Sequence, residues 1–178
     1  MRHILFATAT VVVLLLCSSH DTIASEITLP RETRVQVFFS PGGPFSDMAV
    51  KDIAAAKSEI LIQSYYFGSF PVADALIAAH KRGVKVALIV DKSDRAEGIT
   101  PGVKMSQEGI PVFLDNKHSI ANNRVMIIDK KKVFTGSFDF NKASEQMIAD
   151  NLLILESPEL AKLYRENWLS HREHSETY

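Results

Sequence analysis

The sequence predicts an α/β fold in which a mixed β-sheet is sandwiched between helices. Short apolar runs rich in β-branched residues alternate with segments whose apolar residues recur at helical spacing. Residues 59–90 show the pattern clearly, because the run Ile60–Ile62 is followed by a helical segment from Pro71 and by a second apolar run, Val84–Val90. A strand, a helix and a strand with short joins imply parallel strands connected by a right-handed crossover.

The other elements follow from the same two patterns and from turn residues. Strands are expected at residues 35–39, 59–67, 84–90, 110–114, 125–128, 133–134 and 151–156. Helices are expected from a cap at Ser46 or Asp47, from Pro71, over residues 103–108, and from Ser157 or Pro158. Only a short turn separates the strands at 125–128 and 133–134, so an antiparallel pair is expected. Residues 171–178 are expected to form a solvated tail.

The N-terminal segment predicts export. A basic start precedes the apolar run Ile4–Cys17 and a small, polar stretch, as in a secretory signal peptide. The alternative is an uncleaved membrane anchor, although the apolar run is short for a membrane span. The sequence therefore predicts a signal peptide, residues 1–25, and one domain, residues 26–178. The domain is expected in the bacterial periplasm or outside the cell. Cleavage would remove the only cysteine, and with it disulfide and thiolate chemistry.

The overall charge excludes one class of function. The formal net charge is -1 at pH 7, so the chain is not expected to coat nucleic acid through bulk positive charge. A local basic patch remains in the three consecutive lysines Lys130–Lys132. Such a turn favours solubility, and the alternative is the edge of a groove that follows a phosphate backbone.

A polar cluster between residues 117 and 151 carries the most specific pattern. Its spacing resembles the signature of the phospholipase D superfamily: His-x-Lys, four residues, Asp, six residues, Gly-Ser, and Asn two positions later. The corresponding residues of this chain are Asn122, Arg124, Asp129, Gly136, Ser137 and Asp139. The resemblance covers nearly all of residues 26–178. It is closest to the small bacterial endonuclease branch (Nuc type), through the Pro41–Gly43 loop, Lys81–Val86 and the Asn167–Trp168 pair.

The resemblance implies a phospholipase D-like fold and a phosphodiesterase that acts on nucleic acid or phospholipid. Members with one motif per chain form homodimers in which two motifs build one site. One His attacks phosphorus to give a phosphohistidine, the other protonates the leaving oxygen, and neither a metal nor a cofactor is needed. The implied catalytic positions are Asn122, Arg124 and Asp129, with Asp orienting the nucleophile. The implied phosphate-binding positions are Ser137 and Asp139, and Lys117, outside the motif, is a further candidate for the phosphate pocket.

The chain departs from this pattern where the reaction should start. Asn122 replaces the nucleophilic His, and an amide has neither a nucleophilic lone pair nor a proton to exchange near pH 7. Arg124 replaces Lys and is a good phosphate clamp of different shape. Asp139 replaces Asn and brings a negative charge toward a phosphate. These changes are natural divergence or, for Asn122, a laboratory substitution.

His118 is the candidate substitute base, four residues before Asn122. The alternative is an ordinary loop histidine, because reaching the same point would require the loop to fold back. Three functions therefore stay open: an exported phosphodiesterase with impaired chemistry, an inactive module that binds phosphate or nucleic acid, and a structural dimer with a decayed site.

Overall fold

The computed structural model describes residues 26–94 and 100–178. The predicted signal peptide lies outside the described residues. Eight strands form one sheet in the order β1-β7-β6-β5-β2-β3-β4-β8. The strands are β1 (Arg34–Phe39), β2 (Glu59–Ser64), β3 (Lys85–Asp91), β4 (Val112–Asp115), β5 (Arg124–Ile128), β6 (Lys132–Gly136), β7 (Asn151–Glu156) and β8 (Glu176–Thr177). The helices are α1 (Phe45–Ala55), α2 (Phe70–Lys81), α3 (Pro101–Gln107), α4 (Lys142–Gln146) and α5 (Pro158–His174).

The sheet is mixed, as the sequence predicts. Strands β2, β3 and β4 are parallel, and every other neighbouring pair is antiparallel. The β5–β6 hairpin confirms the predicted antiparallel pair. Its turn residues Asp129 and Lys130 both have positive φ (52° and 57°). The N–H of Lys131 donates to the carbonyl of Ile128 (3.1 Å), which closes a tight turn.

The helices cover both faces of the sheet. Helices α1, α2 and α3 pack on one face over the larger apolar core, and α5 packs on the other. Two contacts fix α5: Trp168 donates from Nε1 to the carbonyl of Ile62 (2.8 Å), and Arg165 pairs with Glu59. Among the described residues no helix is long and apolar enough to cross a bilayer. The predicted fold class is confirmed.

The start of α1 differs from the prediction. The helix begins at Phe45 after Pro44, without a side-chain cap, so a cap at Ser46 or Asp47 is wrong. Ser46 instead donates its N–H and hydroxyl to the carboxylate of Glu145 in α4 (3.1 and 2.8 Å). A hydroxyl that has a distant carboxylate partner is no longer available to its own helix.

The predicted solvated tail is also wrong. Helix α5 continues to His174, and β8 then pairs with the edge of β4. The N–H of Tyr178 donates to the carbonyl of Val112 (2.9 Å). The sequence predicted a solvated tail, but partners distant in the sequence hold this segment in place.

Candidate active site

Most of the motif residues meet at one edge of the sheet. Strand β5 begins where β2 ends, because Arg124 pairs with Ser64. Strand β6 ends at the same edge, where Gly136 pairs with Leu152 of β7. The residues just before β5 and just after β6 therefore converge, and these are the segments that carry Asn122, Arg124, Ser137 and Asp139.

Gly136 makes this corner possible. A Cβ at this position would lie far inside van der Waals contact of the carbonyl oxygen of Asn151. That oxygen accepts from the backbone N–H groups of Ser137 (3.1 Å) and Phe138 (3.3 Å). Only glycine lets β7 approach closely enough for the chain to turn here, which explains the Thr-Gly-Ser corner.

Arg124 is the centre of the site and is fully engaged within the chain. Its guanidinium donates from Nε to Oδ1 (2.7 Å) and from Nη2 to Oδ2 (3.1 Å) of Asp139, a bidentate ion pair. It also donates from Nη1 to Oδ1 of Asn122 (2.8 Å). The side chains of Arg124 and Asp139 are only 19% and 18% exposed. The cation expected to clamp a phosphate is thus neutralised by the neighbouring carboxylate.

Ser137 is likewise turned toward a carboxylate. Its hydroxyl donates to Oδ1 of Asp150 (2.7 Å) and accepts from the backbone N–H (3.1 Å) and the Nδ2 (3.2 Å) of Asn151. Asp150 is held in turn through its own N–H, which donates to the Oγ of Ser40 (2.9 Å). The hydroxyl is fixed in position, but its proton points at Asp150.

Asp129 does not belong to this site, and its expected role in orienting residue 122 is wrong. It lies five residues beyond Arg124, at the other end of β5, which is roughly 16 Å at the usual rise per residue. Its carboxylate accepts from the N–H groups of Lys57, Ser58 and Glu59 and from the hydroxyl of Ser58. Burial opposes its ionisation, but these donors lower the pKa of Asp129 below its usual range.

The basic residues are not gathered around Arg124. Lys130 and Lys131 lie in the distant β5–β6 turn, and Lys132 pairs with Asp52 (2.9 Å) and Glu156 (3.2 Å). Lys117 lies exposed in the loop between β4 and β5. The arrangement favours the solubility interpretation of the lysine turn over a groove for a phosphate backbone.

His118 contacts Asp115, and among the described residues it makes no hydrogen bond to Asn122. Its Nδ1 lies 3.0 Å from both carboxylate oxygens of Asp115, at the end of β4. His171 and His174 from the last turn of α5 contact the same carboxylate. Sequence reasoning missed Asp115, His171 and His174 as a group. The spacing of the two α5 histidines, i and i+3, would have placed them on one helix face had the helix been extended this far.

Two further carboxylates lie at this edge of the sheet. Asp91 accepts from the N–H of Ala121 (2.7 Å), which anchors the loop that carries Asn122. Burial opposes ionisation of Asp91, but this N–H and the groups of Ser93 lower its pKa. Burial dominates at Asp94, since only the N–H of Phe67 offsets it and the charge of Asp91 adds to it, and the pKa of Asp94 is raised to about 6.

Comparison with known proteins agrees with this geometry. Residues 49–171 match the family described as "Cardiolipin synthase, PLD-like domain". A phospholipase D of Rickettsia typhi is 34% identical over 154 residues, which are 85% of this chain and 76% of the relative. A phospholipase D of Rickettsia conorii is 36% identical over 140 residues, or 79% and 70% of the two chains.

A solved structure extends the likeness to the whole fold. Nuc from Salmonella typhimurium, a phospholipase D family member, superposes with a TM-score of 0.77 at 32% identity, over 83% of this chain and 99% of Nuc. The motif spacing, the family match over residues 49–171 and the superposition on nearly the whole of Nuc point to one conclusion. The chain belongs to the phospholipase D superfamily of phosphodiesterases, in its small Nuc-type branch.

Proposed function

We propose that the chain is an exported, homodimeric phospholipase D-type protein whose hydrolysis of phosphodiesters is strongly impaired. The observation that carries the proposal is the position of the four histidines within residues 26–94 and 100–178. Three of them surround Asp115, and His80 is in the last turn of α2. Within these ranges no histidine hydrogen bonds to Asn122 or Arg124, so phosphohistidine chemistry has no imidazole to use here.

The hydrogen bonds of Asn122 support the same proposal. Its amide oxygen accepts from Arg124, and the amide nitrogen has no lone pair free to attack phosphorus. By analogy with dissected hydrolases, losing a covalent nucleophile costs roughly 10^4- to 10^6-fold in rate. A phosphate bound at this site would meet donors but no nucleophile.

Phosphate binding itself is weakened by two carboxylates. A phosphate must displace Asp139 from Arg124 before it can bind the guanidinium. The hydroxyl of Ser137 already donates its hydrogen bond to Asp150. Both carboxylates also repel the incoming anion. This charge arrangement favours an impaired phosphodiesterase over a dedicated phosphate- or nucleic-acid-binding module.

An exposed apolar surface beside the site supports a homodimer. On the edge strand β1 the alternating residues Val35, Val37 and Phe39 are 46%, 51% and 70% exposed, on the sheet face where α5 packs over other strands. Phe39 pairs with Asn151, which hydrogen bonds to Ser137. A second copy seated on this surface would bring its own motif close to the first. A monomer in light scattering would contradict a shared two-chain site.

The test is hydrolysis of bis(p-nitrophenyl) phosphate by the unmodified chain and by a triple variant, Asn122→His with Arg124→Lys and Asp139→Asn. We expect no turnover by the unmodified chain and a gain of at least about 10^3-fold in the variant, because the nucleophile, clamp and donor are restored together. A matched variant, His80→Gln in the same background, should retain the gain.

Two outcomes would contradict the proposal. Turnover by the unmodified chain that disappears with His118→Ala would assign the chemistry to that histidine. A salt-dependent gel shift with DNA by the unmodified chain would instead favour a binding module. The triple variant assayed on DNA and on phosphatidylglycerol vesicles then separates a nucleic-acid pocket from a lipid one. Export is tested by N-terminal sequencing of the protein from the periplasmic fraction, where residue 26 should come first.

A further inference from the structure

Three histidines converge on one buried carboxylate away from the motif residues. Asp115 ends β4, His118 follows in the next loop, and His171 and His174 lie in the last turn of α5. The side chain of Asp115 is fully buried, while the histidines lie between it and solvent. Three separate segments of the chain are thus joined at one point.

The geometry is that of a ligand set. The Oδ2 of Asp115 lies 3.0 Å from Nδ1 of His118, 2.8 Å from Nδ1 of His171 and 3.4 Å from Nε2 of His174. One possible donor atom from each of the four residues lies within 4.8 Å of the others. The three imidazole rings are also mutual neighbours, with centroids 4.9 to 5.4 Å apart.

We propose that Asp115, His118, His171 and His174 form a binding site for a divalent transition-metal ion of the zinc class. The carboxylate of Asp115 offers about four lone pairs, yet three imidazole nitrogens and the backbone N–H groups of Lys117 and His118 all lie within hydrogen-bonding distance of it. A central cation removes this excess, because each nitrogen then binds through its lone pair. The buried carboxylate supplies the negative charge that makes a cation favourable there.

The donor set selects the class of metal. Three imidazole nitrogens and one carboxylate oxygen suit four-coordinate zinc, whereas Mg²⁺ and Ca²⁺ require mainly oxygen ligands. At usual zinc–ligand distances the four atoms of a tetrahedral site lie about 3.4 Å apart. Side-chain rotations that shift the ligand atoms by about 1 Å complete the site, and the half-exposed His118 has room for such a movement.

The site has a positioning role rather than a place in phosphoryl transfer. Three strand spacings of about 4.8 Å separate β4 from β5, so the cluster lies roughly 14 Å from the start of β5. A metal-bound water could not reach a phosphate at Arg124 over that distance. The ion would instead tie the end of α5 to β4 and to the loop that leads into Asn122. Lys92 already holds this loop, through its Nζ and the carbonyl of His118 (2.9 Å).

The proposal is independent of any hydrolytic activity and is tested by binding. The metal-stripped chain is titrated with ZnCl₂ in a calorimeter, and bound zinc is counted by mass spectrometry after gel filtration. We expect one zinc per chain and a higher melting temperature with zinc. The variant His171→Gln with His174→Gln should lose at least about 100-fold in affinity, since even partners outside the ligand set are worth about 10- to 100-fold.

Matched variants keep the test decisive. Glu173→Gln changes an exposed residue between the two α5 histidines and should bind zinc like the unmodified chain. His118→Gln removes a ligand from the loop, so it serves if the α5 variant does not fold. With Co²⁺ the unmodified chain should give the intense visible bands of a four-coordinate ion. Zinc binding that is absent, or equal in all variants, would overturn the proposal, as would the weak bands of six-coordinate Co²⁺.

Discussion

The two ends of β5 carry two parts of the phospholipase D motif. They differ in how well they match the family pattern and in what their side chains bind. At the hairpin end, Asp129 matches the family pattern and its carboxylate is satisfied by three N–H groups and a hydroxyl. At the opposite end, Asn122 and Arg124 depart from the pattern, and the arginine is neutralised by Asp139. The residue that matches is held by backbone donors, and the residues that differ lie where the family pattern implies the reaction.

This difference explains how such a chain keeps its fold. The hydrogen bonds of Asp129 join the β5–β6 hairpin to the segment between α1 and β2, so losing them would loosen the sheet. Changes at residues 122, 124 and 139 exchange one set of polar contacts for another at the edge of the sheet where β5 begins. We therefore expect chemistry and stability to depend on opposite ends of one strand, and each end is open to its own test.

The largest effect is expected at the end of β5 that carries Arg124, when the departures from the family motif are reversed in steps. The double variant Arg124→Lys with Asp139→Asn should gain no measurable hydrolysis, because it still lacks a nucleophile. Adding Asn122→His should raise the rate by at least about 10^3-fold. Rates on bis(p-nitrophenyl) phosphate check both steps. A double variant as active as the triple would show that charge, not the nucleophile, limits the site.

The next effect is expected at the hairpin end. Asp129→Ala should lower the free energy of unfolding by about 2–3 kcal/mol, because it leaves several backbone donors without a charged acceptor. Urea unfolding measures the change, with Lys131→Ala in the same turn as the control. The pKa of Asp129 is lowered, so its contribution is present above about pH 4 and is lost as the pH falls. An unchanged free energy of unfolding would contradict the division, as would a loss of activity without a loss of stability when Asp129→Ala is added to the active triple variant.

Asp94, at the edge of the site, should affect stability with a pH dependence opposite to that of Asp129. Burial raises the pKa of Asp94 to about 6, so the folded protein binds its proton more tightly than the unfolded chain does. Its ionisation therefore costs nothing below about pH 4, an increasing amount up to about pH 6, and the full amount above that. Asp94→Asn should stabilise the protein by about 2 kcal/mol at pH 7.5 and not at pH 4. Equal effects at the two pH values would refute this.

The smallest effect concerns the backbone of the hairpin turn. Lys130 has a φ of 57°, a conformation that costs a residue with a Cβ about 1 kcal/mol. Lys130→Gly relieves this strain but adds freedom to the unfolded chain, so a gain of about 0.5 kcal/mol is expected. Urea unfolding beside Lys131→Gly, which should destabilise, checks the sign.

Much of the fold could be predicted from periodicity alone. The β5–β6 hairpin, the parallel β2–β3 pair and the start of α5 after Ser157 follow from local patterns, and the structure confirms them. The short helix α4 and strand β8 were missed. Strand β8 has two residues and exists only because β4, far away in the sequence, offers an edge. No local pattern encodes such a pairing.

The site was predicted in part, for a related reason. Motif spacing correctly brought Asn122, Arg124 and Asp139 together, but the same spacing placed Asp129 with them. Strand β5 has five residues, Arg124–Ile128, so Asn122 and Asp129 lie at opposite ends of the strand and at opposite edges of the sheet. The histidines around Asp115 were missed because residues 171 and 174 were assigned to a tail.

The pairing of β8 also matters for self-association. Together with Tyr178, it occupies backbone groups of β4 that would otherwise be open to a strand from another molecule. Proteolytic trimming of residues 176–178 would uncover a strand whose four residues are all buried. Such a trimmed product should be prone to aggregate even where its core remains folded. Residues 176–178 thus protect the edge of the sheet from pairing with another chain.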